Sequence, residues 1–321
     1  MLRMSNEQVQ DEDRAHFSPR KLRRQKTEAF FEREWLQNDQ QFNPVRDCME
    51  RERLDRTIGL LQRHLDVKGK KAVDLGSGFG VLTKRVRDLG ASVDAVDIAN
   101  NALKHVRNEK EISPIQDFVP YTQLADDHYD LVLATELIAY LIKDDYRLFF
   151  SELARLVHAE GFIICSTPLD IYSVDALERF ASFAETELEI KESLFSYHYL
   201  WIKIHNLLNK PTRYLKLAED PHYRKDELKK RNGIRRWWFS LKTSPLSLLI
   251  WHPMHWLTTP LNHWLTRHKP SLIFLEKVSK AIWQEQAISH AIVIAKRRPL
   301  FKAPEGNQLP IERKGKKIVW E

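Results

Sequence analysis

Cysteine is nearly absent from this chain: Cys48 and Cys165 are the two among 321 residues. Two thiols build neither a disulfide framework nor a cysteine-based zinc site, and they point to a reducing compartment. Long apolar runs are missing too. No stretch offers the roughly 18 mostly apolar residues that a membrane-crossing helix needs. The opening Met-Leu-Arg-Met is not followed by the apolar run of a signal peptide, so a cytoplasmic location is expected. Ten glycines and fourteen prolines are too few for a collagen-like or linker-dominated chain, and no internal repeat is visible. What remains is an ordinary globular composition, 43% hydrophobic and 30% charged. Its length suggests about two domains. The net charge of +7 favours anionic partners, such as nucleic acid or a membrane surface, without choosing between them.

The charge is unevenly placed. Residues 203–289 hold sixteen Lys/Arg against six Asp/Glu, a local net of +10 that leaves the rest of the chain at −3. Seven of the nine tryptophans fall between Trp201 and Trp283. A shift of this size marks a separate unit, with edges near Asn206 and Gln284. The resulting division is a charged arm and helix over 1–50, a core over 51–205, a basic Trp-rich helical insertion over 206–284, a last core strand over 285–298 and a basic, Pro-containing tail over 299–321. Within the arm, the run from Arg20 to Lys26 reads as a solvated helix or frayed arm, with nucleic-acid contact as the minority reading. Residues 52–66 place Leu54, Ile58, Leu61 and Leu65 on one helical face.

From residue 71 to 168 short apolar strands alternate with helices. Strands are expected at 71–75, 92–98, 113–118, 130–135 and 161–166. Helices are expected from 82 to 89, from 101 to 108 and over 145–158. Alternation of this kind predicts a doubly wound parallel sheet, whose ligands bind beyond the carboxyl ends of the strands. The sharpest local signal ends the first strand: Val73-Asp74-Leu75-Gly76-Ser77-Gly78-Phe79-Gly80. Glycines there let the backbone turn tightly beside a ligand, and the helix that follows offers free N–H groups. A dinucleotide-type GxGxxG is incomplete, because position 81 is Val. An acid two places before the first glycine would also repel a pyrophosphate, whereas it suits a ligand carrying an ammonium group.

This pattern resembles the class I S-adenosylmethionine-dependent methyltransferases, whose first motif reads acid-x-Gly-x-Gly-x-Gly. Asp74, Gly76, Gly78 and Gly80 match it. Further likenesses follow in order: Val96-Asp97-Ile98, Gln116-Asp117-Phe118, the strand from Tyr129 to Glu136, and Ser166-Thr167-Pro168. The resemblance covers roughly residues 50–205 and 285–298. It implies a Rossmann-like α/β fold with a mostly parallel sheet and a final antiparallel strand, and S-adenosyl-L-methionine as cofactor. It implies that Asp74, Gly76 and Gly78 hold the methionine part, Asp97 the ribose hydroxyls and Asp117 the adenine, with Ser77, Gly80 and Thr135 also among the cofactor-binding residues.

The chain departs from the family in places. Where the branch with this fourth strand usually has Glu-His, it has Ala139 and Tyr140. No Asn/Asp-Pro-Pro-Tyr follows the fourth strand, which counts against amino groups of nucleic acids as acceptors. Tyr140 and His198 are the candidates for a catalytic base, and Asp170, Tyr172 and Tyr199 for other substrate-facing groups. His252 and His255 lack a third ligand, so no metal is expected.

Residues 243–266 hold no charged side chain but three Pro, three His and three Trp. The prolines are expected to break the tract into short helices, with Ser244-Pro245 and Thr259-Pro260 as helix starts. Flanked by Arg235, Arg236, Arg267 and Lys269, the tract suits a segment lying in a membrane interface or a helical lid. The expected function is methyl transfer to an amphiphilic acceptor: a lipid, a quinone precursor or a lipid-linked glycan. An RNA methyltransferase, a non-catalytic docking module and a dehydrogenase are the alternatives.

Overall fold

The structure is a computed structural model describing residues 19–169 and 174–299. Asp170, Tyr172 and all but the first residue of the tail lie outside them. The chain divides into two compact units, one of Met1–Arg46, Leu54–Phe195 and His290–Glu321, the other of Asp47–Arg53 and Ser196–Ser289. The sequence boundaries at 206 and 284 fall inside the second unit.

The first unit is built on a seven-stranded sheet. Its strands are β1 (Lys71–Leu75), β2 (Ser92–Asp97), β3 (Ile112–Gln116), β4 (Tyr129–Thr135), β5 (Val157–Pro168), β6 (Leu188–Ser196) and β7 (His290–Arg297), in the order β3-β2-β1-β4-β5-β7-β6. All pairs from β3 to β5 are parallel, while β5 and β7 run antiparallel. This is the Rossmann-like arrangement with a reversed late strand. The chain reverses direction across the sheet between β1 and β4, so the crevice beyond their carboxyl ends is the expected ligand site.

Both faces of the sheet are buried, which is why the strands read as continuous apolar runs. Along β4, Val132 and Ala134 pack into one cluster with Phe149, Phe150 and Leu153, while Leu131 and Leu133 pack into the other with Leu60, Leu61 and Val86. Each such aliphatic side chain contributes roughly 1.5–3 kcal/mol by its burial. The helices that cover the sheet are α1 (Pro19–Asn38), α2 (Cys48–His64), α3 (Val81–Asp88), α4 (Asn100–Leu103), α5 (Tyr146–Leu156) and α6 (Val174–Glu187). Helix α4 is shorter than the expected 101–108. Beyond Leu103 the backbone bonds tighten to three-residue turns, His105 N to Ala102 O and Val106 N to Leu103 O. Val106 thereby joins a small cluster with Ala95, Leu103 and Ile112. Strand β6, at the sheet edge, was not anticipated.

The second unit holds α7 (Tyr199–Glu219), α8 (Pro221–Lys229), α9 (Gly233–Lys242), α10 (Leu248–Arg267) and α11 (Lys269–Trp283). Cys48, Trp201, Leu265 and Leu272 form its core. The expectation of short, proline-broken helices is corrected here. Ser244 does precede Pro245 at the start of a short 3-10 turn, but Pro253 and Pro260 sit inside one continuous 20-residue helix. An interior proline costs about 3 kcal/mol, so tertiary contacts must hold α10 together. They run to α7: His255 Nδ1 lies 2.9 Å from Thr212 Oγ1, Asn262 donates to Asn209 at 2.9 Å, and Trp251 stacks on Tyr214 at 4.7 Å. No described helix is long and apolar enough to cross a membrane.

Candidate active site

The glycine-rich turn leaves β1 with Gly76, Gly78 and Gly80 all at positive φ. The amides of Gly76 and Ser77 donate to Val96 O at 2.8 and 2.9 Å, which pins the turn to the end of β2. At Gly80 the requirement for glycine is doubled. Its φ is +66°, and a Cβ would come 2.0 Å from Val106 Cγ1. Gly80 also caps α3, with its carbonyl accepting from Lys84 N at 2.9 Å.

Asp97 ends β2 in the crevice. Its Oδ2 accepts from Gly78 N at 3.0 Å and its Oδ1 from Ala99 N at 2.9 Å. Each oxygen retains a lone pair, so the carboxylate can accept a pair of hydroxyls. Burial pushes its pKa up to about 6, against the lowering effect of the amides, and Glu32 raises it further. Asp74 lies under the turn rather than open in the crevice. It is 2% exposed and accepts from Thr83 Oγ1 at 2.6 Å. Burial lifts its pKa to about 7, with the Thr83 bond opposing and Asp97 adding to the rise. Ser77 Oγ is buried with no hydrogen-bond partner among the described residues. An orphaned buried hydroxyl costs about 1–3 kcal/mol, and a polar ligand at the turn would relieve it. The residues therefore fit a bound cofactor.

Asp117 is buried and held by its own loop, accepting from Phe118 N at 2.7 Å and Gln123 N at 2.6 Å. Thr135 closes β4, opposite Ser166 of β5. Tyr140 lies in the first unit, 57% exposed, with its ring edge-on to Phe31 at 5.5 Å. His198 belongs to the second unit, fully buried, with Nε2 3.8 Å from Glu276 Oε1. The structure thus places the two candidate bases in different settings, one on a surface and one in a core.

Two features escaped the sequence reading. The first is Glu136, directly after β4, in a left-handed conformation at φ +61°. Strain of this kind in a non-glycine residue gathers at functional positions. Ser166 Oγ donates to Glu136 Oε1 at 2.7 Å and accepts from Glu136 N at 3.1 Å, while His290 Nε2 lies 3.8 Å from Glu136 Oε2. A carboxylate, a hydroxyl and an imidazole thus converge at the carboxyl ends of β4 and β5. The pairing of Pro168 with His290 in the β5–β7 register brings the histidine there, a contact across 154 residues of sequence that no local signal announces.

The second feature is α1. Trp35 would lie 3.6 Å from a Cβ at Gly78, and its ring also meets Phe42 and Phe79, each at 4.9 Å. Arg24 pairs with Asp117 at 3.4 Å and Arg23 with Asp145 at 2.6 Å. Glu32 accepts the amides of Asn100 and Asn101 at the start of α4, at 2.5 and 3.2 Å. The basic run is therefore no free arm: its Arg23 and Arg24 are bound to acids of the core. The aromatic residues Phe31 and Trp35 were the available signal.

Both cysteines are buried. Desolvation pushes Cys48 up to about 11 and Cys165 up to about 12, so neither is a thiolate nucleophile near neutrality. Among the described residues no group of His, Cys, Asp or Glu could hold a metal ion.

Residues 73–165 match the family described as Methyltransferase domain. Over 141 residues the chain is 28% identical to a ubiquinone biosynthesis O-methyltransferase of Burkholderia vietnamiensis, covering 41% of this chain and 57% of that protein. Over 126 residues it is 28% identical to a ribosomal protein L11 methyltransferase of Helicobacter hepaticus, covering 37% and 38%. A solved S-adenosylmethionine-dependent methyltransferase from Mesorhizobium loti superimposes with a TM-score of 0.42 at 15% identity, covering 75% of this chain and 96% of that one, too loosely to carry an argument. Over residues 73–165 the chain is similar to the methyltransferase-domain family, and the sheet has the Rossmann-like strand order. The chain spans little more than half the length of the first of these relatives.

Proposed function

We propose that the protein transfers a methyl group from S-adenosylmethionine to an oxygen of a small amphiphilic acceptor. The observation that carries this reading is the crevice where the Gly76–Gly80 turn, Asp97 and Glu136 meet the carboxyl ends of β1, β2 and β4. The cofactor supplies an electrophilic methyl group on a sulfonium. Asp97 accepts the ribose hydroxyls, the turn and Ser77 receive the methionine end, and Asp117 faces the adenine. Asp74 steadies the turn through Thr83 and places negative charge beneath the ammonium group. Glu136, oriented by Ser166 and flanked by His290, takes the proton that an acceptor hydroxyl loses on methylation. Positioning of the two reactants accounts for much of the rate.

The oxygen acceptor is favoured by the relatives named for ubiquinone biosynthesis. The amphiphilic class, whether lipid, quinone precursor or lipid-linked glycan, is favoured by the many exposed apolar side chains of the second unit. In this reading the enzyme works in the cytoplasm, peripheral to a membrane. An RNA acceptor loses part of its motive, because Arg23 and Arg24 are committed to Asp145 and Asp117. The test is incubation of lipid and RNA extracts with the protein and isotopically labelled S-adenosylmethionine, followed by mass spectrometry. Label in a lipid-phase molecule supports the reading. Label confined to RNA moves the acceptor to the alternative, and no cofactor binding by calorimetry rejects methyl transfer itself.

A further inference from the structure

Helix α9 carries Ile234, Trp237, Trp238 and Leu241 at the i, i+3, i+4, i+7 spacing of a single apolar stripe. In a water-soluble protein such a stripe is the buried face. Here those four side chains are 72%, 59%, 51% and 52% exposed, and no residue of the helix is buried. Trp251 Nε1 donates to Lys242 O at 2.7 Å and ties the end of α9 to α10.

Helix α10 buries Leu265 and stacks Trp251 on Tyr214, but much of its inward side is polar and its outward side apolar. Its hydrogen-bonding side chains His255 and Asn262 face α7, where they meet Thr212, Asn209 and His205. The opposite arc presents Leu249, Ile250, Trp256, Leu257, Leu261 and Trp264, all more than half exposed. Polar contacts between helices and an apolar exterior are the reverse of packing in water and the rule in lipid. Leu246 (79% exposed) just before the helix adds to the same apolar surface.

The charge says what covers this surface. Between residues 228 and 275 there are eight Lys/Arg and no Asp or Glu, and Arg235, Arg236, Lys242 and Arg267 are exposed beside the apolar side chains. Apolar residues and tryptophans rimmed by cations match the boundary between acyl chains and anionic headgroups. Neither helix is long and apolar enough to cross a bilayer, so any contact they make with one is in its plane.

We infer that α9 and α10 form an in-plane docking face for an anionic phospholipid bilayer. The face gives the amphiphilic-acceptor reading its route to substrate and rests on that reading for its purpose, but its test does not depend on methyl transfer. The full chain is mixed with vesicles of phosphatidylcholine alone or with added phosphatidylglycerol, and binding is followed by flotation and by tryptophan emission. Binding is expected to the anionic vesicles, with a blue shift as Trp237, Trp238, Trp256 and Trp264 leave water. Added salt weakens it, since exposed charges are screened over about 8 Å at physiological ionic strength. The triple variant Arg235→Gln/Arg236→Gln/Arg267→Gln should bind about a hundredfold more weakly, each cation being worth roughly a factor of five near an anionic surface. Leu249→Ser/Trp256→Ser/Leu257→Ser should abolish the emission shift. All six positions are exposed, so circular dichroism and calorimetry with S-adenosylmethionine should be unchanged. Equal binding to both vesicles, or none to either, overturns the inference. So does tight RNA binding without vesicle binding, or self-association that the serine variant abolishes without vesicle binding. Loss of cofactor binding with vesicle binding intact would instead strike only the methyl-transfer reading.

Discussion

The amide of Gly78 donates to Asp97 Oδ2 at 3.0 Å, joining the glycine turn after β1 to the acid that ends β2. The bond makes this side chain a brace for the turn, and the proposed function makes it a ligand for the cofactor as well. Removing the carboxylate should therefore loosen both. Hydrogen bonds to a charged group contribute about 1.5–3 kcal/mol each, and about 1.4 kcal/mol is a decade of affinity. Asp97→Ala should weaken S-adenosylmethionine binding at least roughly tenfold by calorimetry; an unchanged Kd would remove Asp97 from the site.

The same burial should make cofactor binding pH-dependent. Asp97 and Asp74 are raised from 3.8 to about 6 and about 7. Protonated, Asp97 no longer attracts the ribose hydroxyls as an anion, so affinity should fall as pH drops through this range. Binding near pH 6.5 should release protons, because the free protein holds more of them than the complex. Calorimetry in buffers of different ionisation enthalpy reads that release. For folding the sign is opposite. The two raised acids contribute stability fully present below 3.8, and it is lost as pH rises through about 6 to 7. The thermal midpoint of the cofactor-free protein should carry this contribution.

Gly80 should be the least replaceable position of the turn. In Gly80→Ala the new Cβ meets Val106 Cγ1 and is held at φ +66°. Left-handed backbone costs about 1–2 kcal/mol and overpacking about 1–3 kcal/mol. Denaturant unfolding should show a loss of about 2–5 kcal/mol. Pairing it with Val106→Ala should relieve the clash but leave the backbone cost.

Glu136→Gln should separate chemistry from binding. With the proton acceptor gone, turnover of the labelled acceptor should drop by at least about a hundredfold, while the Kd for S-adenosylmethionine stays within twofold by the same calorimetric standard of about 0.4 kcal/mol. A variant as active as the parent would assign Glu136 to loop geometry alone.

Helix α1 gives a graded pair of variants. Trp35 is 7% exposed among Phe31, Phe42 and Phe79, and Trp35→Ala should cost about 3–5 kcal/mol and weaken cofactor binding as the wall beside Gly78 goes. The Arg24–Asp117 pair is partly exposed, at 3.4 Å, so Arg24→Ala should change stability by no more than about 1 kcal/mol. Unfolding curves of the two variants side by side check the ranking.

By itself the sequence determined the parts whose physics is local. Alternating apolar strands and helices gave the parallel sheet, because a strand buried on both faces has no polar alternation to show. The run Asp74-Leu75-Gly76-Ser77-Gly78 marked the tight turn between β1 and α3, because a turn at positive φ leaves a glycine signature. The charge and tryptophan shift pointed to a separate unit over 206–284, whereas the compact second unit spans Ser196–Ser289 and takes in Asp47–Arg53. Tertiary structure decided whatever depends on contacts distant in sequence. Register between β5 and β7 put His290 beside Glu136, and α1 came to rest against Gly78 and Asp117. The prolines at 253 and 260 read locally as breaks, yet contacts with α7 outweighed the two lost backbone bonds and kept α10 whole. The same packing fixed which side of α10 is inward. Composition could announce an apolar tract, but only the position of His255 and Asn262 against α7 left Leu249, Trp256, Leu257, Leu261 and Trp264 outward while Leu265 and Trp251 turned in.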